Sequence, residues 1–134
     1  MAKINHYKTA ILALLLIGWI LALFIESSQP PLKILEEIKG LDKVAHFLAF
    51  TFLGLLICAL SFKLHPKPKI QLFSLPLFIV IVIGIIEESY QMLIPGRASE
   101  LLDLLADTCG ALFAIFIANR IAYIMHTKNL MRLE

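Results

Sequence analysis

Four long apolar stretches leave this chain little choice of fold. They cover about residues 7–25, 43–62, 70–94 and 100–124. Each is close to or above the roughly 20 residues that carry a helix across a bilayer. Backbone groups find no water inside a bilayer, so a spanning segment must satisfy its own hydrogen bonds. Uninterrupted apolar runs of this length read as helices. The 134 residues suit one domain. With 60% of them hydrophobic and 16% charged, the chain is far more apolar than a soluble domain, which is about a quarter charged. The expected fold is all-α: a four-helix transmembrane bundle, a single domain over residues 1–134.

The first stretch is uncharged beyond Lys8. Its basic start, Lys3 and Lys8, is shared with secretory signals. Its apolar region is long for a signal, and no small-x-small cleavage site follows, so a retained first helix is expected. Ser27-Ser28-Gln29 then lead into Pro30-Pro31, a helix-start pattern. Leu32, Leu35 and Ile38 recur at near-helical spacing, and Gly40 offers a stop. This predicts a short amphipathic helix in the membrane interface between the first two spans, an ordinary connecting loop being the alternative. Residues 63–69 are basic and proline-broken, and Pro95-Gly96 is a turn signal.

Basic residues set the expected orientation. With four spans, both termini and the central loop share a side, which carries Lys3, Lys8, Lys63, Lys67, Lys69, Arg120, Lys128 and Arg132. The other side carries Lys33, Lys39, Lys43 and Arg97. Eight against four places both termini in the cytoplasm of a multi-pass cell-membrane protein. No basic face is interleaved with aromatic residues, so nucleic acid is not an expected partner. Cys58 and Cys109 lie in apolar segments without metal spacing and read as small packing residues.

Against this apolar background the polar groups stand out, because charged residues at membrane depth are costly and functional by default. Asp42 and His46 are four apart in the second stretch, as are Glu87 and Gln91 in the third and Asp103 and Asp107 in the fourth. Each pair therefore shares a helix face. At 1.5 Å per residue, His46 lies about 6 Å, Glu88 about 9 Å and Asp107 about 10 Å from the outer end of its span. Three helices thus bring polar groups to one depth, which predicts a shared pocket opening outward. Ala106, Gly110, Ala114 and Ala118 form a small-residue ridge beside the two aspartates, so the acids are expected to face the bundle interior. Glu87 and Glu88 point about 100° apart, and Glu88 is the expected pocket member. Closely spaced carboxylates in a low dielectric cannot all stay charged, so protons or a cation must complete the site.

Structural explanations compete with these assignments. Asp42 and Lys43 can simply mark the interface, His46 can be a satisfied interior histidine, and Arg97 can be a rim charge paired with Glu100. Tyr90 reads equally as an interfacial anchor or a site residue. Trp19 and the phenylalanines read as lipid-facing or packing groups.

The order and spacing of these residues resemble the VanZ-like family. The chain has Asp42-Lys43-Val44-Ala45-His46-Phe47, then Glu88-Ser89-Tyr90-Gln91, then Pro95-Gly96-Arg97, then Asp103-Leu104-Leu105-Ala106-Asp107 with Gly110 following. The match covers about residues 40–115. Asp107 stands where many members have asparagine, and Ala98-Ser99-Glu100 lacks an acid that some members carry. The resemblance implies an integral membrane protein of a family whose namesake is linked to resistance to the glycopeptide teicoplanin. It supplies no reaction.

The leading expectation is an envelope protein whose pocket binds a lipid headgroup, a cell-wall precursor or an amphiphilic antibiotic. Its ligand-binding residues would be Asp42, Lys43, His46, Glu88, Gln91, Arg97, Asp103 and Asp107, with Lys43 and Arg97 at the rim for phosphate or carboxylate. Membrane lipids are expected partners, and oligomerisation is left open. The alternative is an intramembrane enzyme acting on an envelope lipid. There His46 would be the base, oriented by Asp42 or a neighbouring acid, and Glu88 or Asp107 the acid. A metal held by His46, Glu88 and an aspartate would suit the enzyme, but no HExxH-type spacing supports it, so no metal ligand and no cofactor is assigned. A proton-coupled carrier is a third reading, disfavoured because the polar groups stop short of the cytoplasmic half.

Overall fold

The computed structural model describes residues 6–65, 69–71, 74–97 and 99–130. Lys3, Lys67 and Arg132 of the orientation count lie outside them. The described chain is all helical: α1 (His6–Ser27), α2 (Lys33–Glu37), α3 (Leu41–Leu64), α4 (Leu75–Gln91) and α5 (Leu101–Leu130). Among the described residues three helices are long and apolar enough to cross a membrane: α1, α3 and α5, with mean hydropathies of 2.4, 2.2 and 2.0. The expected short helix between the first two spans is α2.

The third span is shorter than the apolar run implies. Helix α4 starts at Leu75 rather than near residue 70 and ends at Gln91. Its 17 residues give about 25 Å of rise, less than the roughly 30 Å of a bilayer core. Two local causes fix its start. Pro76 occupies the first turn, where its missing N–H costs nothing. Upstream, the side chain of Asn119 on α5 accepts from Ile70 N at 2.8 Å and donates to Ile70 O at 2.9 Å. That two-way amide contact satisfies the backbone outside any helix and seats Ile70 in the core. At the other end, Pro95-Gly96 turns the chain, with Gly96 at φ 84°, a value that suits glycine.

Helices α3 and α5 form the central pair, α4 packs against both, and α1 lies along α3 and α4. The core comprises Phe50, Leu53, Ile57 and Cys58 of α3, Leu77 and Val80 of α4, and Ala111, Ile115 and Ala118 of α5, with Ile70. The small-residue ridge explains the close α3–α5 approach. A Cβ on Gly110 would lie 2.5 Å from Phe47 O and 2.9 Å from Thr51 N. One on Gly54 would lie 2.7 Å from Ala114 Cβ. Gly110 and Ala114 of the ridge are buried here; Ala106 is half-buried. Thr51 Oγ1 donates to Phe47 O at 2.7 Å and to Gly110 O at 3.3 Å, tying the crossing. Outward, Leu14, Ile17 and Leu21 of α1, Ile85 and Ile86 of α4, and Leu105 and Phe116 of α5 are exposed. An apolar surface of this extent belongs against lipid. Cys58 packs in the core as expected, whereas Cys109 is exposed.

Replacing Gly110 with alanine should therefore force α3 and α5 apart. Thermal unfolding in detergent, followed by helical circular dichroism, should show a loss of about 1–3 kcal/mol. Gly18→Ala, where nothing lies within 4 Å of the added carbon, should be neutral or gain up to about 1 kcal/mol.

Candidate functional site

The connections place the end of α1, the start of α3, the end of α4 and the start of α5 together. Every polar residue singled out from the sequence lies at this end of the bundle. The groups form an outer layer, an inner layer and a clamp on α1.

In the outer layer, Lys43 Nζ meets Asp42 Oδ2 at 2.6 Å, Glu100 Oε2 at 2.5 Å and Asp103 Oδ1 at 2.9 Å. Asp103 is buried while Lys43 is half-buried, so the ammonium reaches inward from the rim. Asp42 serves Lys43, and it does not orient His46. That role falls to Asp107, whose Oδ1 lies 3.0 Å from His46 Nδ1. His46 also stacks beside Phe50, with ring centroids 6.3 Å apart and planes at 14°.

The inner layer contains His46, Glu87, Glu88, Gln91 and Asp107. The four acids and amides among them are almost wholly buried. Gln91 Nε2 donates to Glu87 Oε1, as the four-residue spacing implied. Ser27 Oγ of α1 donates to the same oxygen. Glu88 turns toward α5, where its Oε2 accepts from Glu100 N at 3.1 Å just before the helix begins. Both glutamates are thus inside, and it is Glu87 that lines the cavity described below. The two neighbours diverge as helical geometry requires, but each finds polar company, because α1 waits on one side and α5 on the other.

Arg97 does not pair with Glu100. Its Nη2 donates to Glu26 Oε1 at 2.6 Å and Glu26 O at 2.9 Å, and its Nε to Gln29 O at 2.8 Å. A guanidinium on carbonyls at the end of α1 and just beyond it suits that helix's negative end. Tyr90 completes this clamp, its hydroxyl 3.0 Å from Ser28 Oγ and its ring beside Phe24. Sequence reasoning missed Glu26, Ser27 and Ser28, which read there as connecting polar residues. It also missed Trp19, which donates from Nε1 to Ala49 O at 3.1 Å and faces the cavity.

These layers border a cavity of about 1020 Å³. Trp19, Leu23, Ala45, Ala49 and Phe50 give it an apolar wall, and Leu32 and Leu102 lie at its edge. Lys43, His46, Glu87, Gln91, Arg97 and Asp103 give it a polar end. Glu88 and Asp107 do not line it; they back its inner wall.

Residues 9–124 match the VanZ/LLP1 family. The chain belongs to that family. Comparison with curated proteins and with solved structures finds no match. As a VanZ/LLP1 protein with helices apolar enough to cross a bilayer, it is a membrane protein. The match begins within α1 and ends within α5, so the family's span takes in every layer of the site and the α1 clamp.

The outer layer has a direct energetic test. Lys43→Met leaves Asp103 buried beside two further acids. Unfolding should show a loss of about 2 kcal/mol, less than the 3–5 of a fully buried pair because the ammonium is partly exposed. Adding Asp103→Asn should restore part of that loss, a coupling that a double-mutant cycle measures. The exposed Lys63→Met should change little.

Proposed function

We propose that this protein binds an amphiphilic molecule of the cell envelope at the cavity: a membrane lipid, a lipid-linked cell-wall precursor or an amphiphilic antibiotic. The observation that carries the reading is the two-part lining of a cavity large enough for such a ligand. An apolar wall from α1 and α3 suits an acyl chain, and a polar end suits a headgroup. Lining acids number five, Glu26, Asp42, Glu87, Glu100 and Asp103, against four bases, Lys39, Lys43, His46 and Arg97. Lys43 and Arg97 are already engaged by neighbouring acids and carbonyls. The headgroup end therefore favours a ligand that brings hydrogen-bond donors, such as an amine or hydroxyls, over a bare phosphate.

In this reading the protein is multi-pass with both termini cytoplasmic, supported by the eight-to-four distribution of lysine and arginine. The cavity then opens toward the outer leaflet, where cell-wall precursors and glycopeptides meet the membrane. A contribution to teicoplanin resistance follows naturally, by sequestering the drug or by occupying its target.

The contact of His46 with Asp107 supports a second reading, an enzyme acting on an envelope lipid. An imidazole oriented by a buried carboxylate is a ready general base. Glu87, which shares the inner layer with His46, would then be the acid in place of Glu88, because Glu87 lines the cavity. Ser27 is fully buried against Glu87 and is no nucleophile. This reading requires a product that accumulates with time and is lost in His46→Gln.

Native mass spectrometry of the protein taken gently from membranes tests the binding reading. One amphiphile per chain is expected on the wild type. Ala45→Phe, which fills the apolar wall, should lower that occupancy at least fivefold. Equal occupancy in the two would contradict it. Expression of the wild type, but not of Ala45→Phe, should raise teicoplanin tolerance in a sensitive host.

A further inference from the structure

Two groups of acids meet at the same end of the bundle, and they are balanced differently. Asp42, Glu100 and Asp103 close around Lys43 Nζ at 2.5–2.9 Å. An ammonium built into the chain fills the cation position there. Deeper in, His46, Glu87, Glu88 and Asp107 each present a ligand atom within 4.8 Å of the others. Among the described residues His46 is the only basic partner of these three acids.

The inner acids are also incompletely satisfied. Glu87 Oε2, Glu88 Oε1 and Asp107 Oδ2 are buried and accept no hydrogen bond among the described residues. The residues themselves are 2%, 5% and 0% exposed. Unpaired carboxylate oxygens in an apolar interior are strongly unfavourable, and metal coordination is one of the few ways to keep such groups charged. Three of them, from two helices, surround one imidazole.

We propose that His46, Glu87, Glu88 and Asp107 form a binding site for a divalent transition metal, Zn²⁺ or Mn²⁺. Bonds of about 2.1 Å from nitrogen and carboxylate oxygen place ligands about 3.4 Å apart in a tetrahedral Zn²⁺ site, and about 3 Å (neighbouring) or about 4.2 Å (opposite) in an octahedral Mn²⁺ site. The 3.0 Å from His46 Nδ1 to Asp107 Oδ1 is already on that scale, and the 4.8 Å compass closes onto it with small side-chain movements. The imidazole selects against Ca²⁺ and Mg²⁺, which take all-oxygen shells. Because α3, α4 and α5 each contribute ligands, the metal also ties the bundle together. The proposal does not depend on amphiphile binding: the site lies at the inner wall of the cavity, and a metal can be held there whatever the cavity takes.

The test uses the purified full chain in detergent, stripped with a chelator and titrated separately with Zn²⁺ alone and Mn²⁺ alone. Bound metal is counted by elemental mass spectrometry after desalting, and affinity is read by calorimetry. One equivalent of either metal is expected on the wild type. Affinity should fall at least tenfold in Asp107→Asn and in Glu88→Gln, and should be unchanged in Glu37→Gln on α2. Circular dichroism selects the folded variants, with His46→Gln replacing any that fails. The proposal is overturned if the wild type binds less than half an equivalent of both metals, or if the folded inner-layer variants lose less than tenfold. Lipid adducts do not enter either readout, so failure here leaves the amphiphile reading standing, and the reverse.

Discussion

Helix α5 can carry Asp103 and Asp107 into an apolar bundle only because α3 brings Lys43 and His46 to meet them. The rest of the arrangement follows from that pairing. Charged groups at membrane depth need partners that water does not supply, and here the partners come from the first turns of α3. For the two helices to meet so closely, their backbones must nearly touch, which Gly54 and Gly110 permit. Apolar packing and polar pairing are therefore one constraint. The crossing that buries Phe50, Leu53 and Ala114 also sets His46 against Asp107.

Helix α1 plays an unexpected part. Its length is exposed or half-buried, and the only buried residue it contributes is Ser27. Yet its last turn is tied three times, through Ser27 to Glu87, Ser28 to Tyr90, and Glu26 to Arg97. Without those ties α1 would keep the packing of Leu16, Trp19, Ile20 and Leu23 against the core and the Trp19 hydrogen bond to Ala49 O. With them it closes one side of the cavity. The Pro95-Gly96-Arg97 turn thus acts structurally, by sending a guanidinium across to the carbonyl end of a neighbouring helix. Tying α1 down holds Trp19 and Leu23 in the cavity lining.

Much of this was legible in the sequence because its signals are strong and periodic. Apolar runs gave the helices, four-residue spacing gave shared faces, and common depth gave a joint site for His46, Glu88 and Asp107. What spacing does not carry is the pairing across helices. Asp42 and His46 share a face, yet Asp42 pairs with its neighbour Lys43 and His46 with Asp107 across the α3–α5 crossing. Glu87 was passed over in favour of Glu88 since no sequence signal places the end of α1 beside it. The start of α4 was misplaced because residues 70–74 are as apolar as a helix requires. The side chain of Asn119, nearly fifty residues away, reveals that the backbone of Ile70 is satisfied in another way. A metal at His46, Glu88 and an aspartate can be named from the sequence, but no local motif supports it because these residues come from three helices, and Glu87 is not among them.

The most direct measurement is the distance between the His46 ring and the Asp107 carboxylate in the protein reconstituted into lipid bilayers. Histidine labelled with ¹⁵N and aspartate labelled with ¹³C allow it by solid-state NMR, with Asp107→Asn assigning the signal. A strong dipolar coupling between His46 Nδ1 and an aspartate carboxylate carbon, corresponding to about 4 Å or less, and lost in Asp107→Asn, is the expected result. A His46 ring with no aspartate carbon in range would mean that α3 and α5 do not meet through their polar faces, and the site would have to be abandoned.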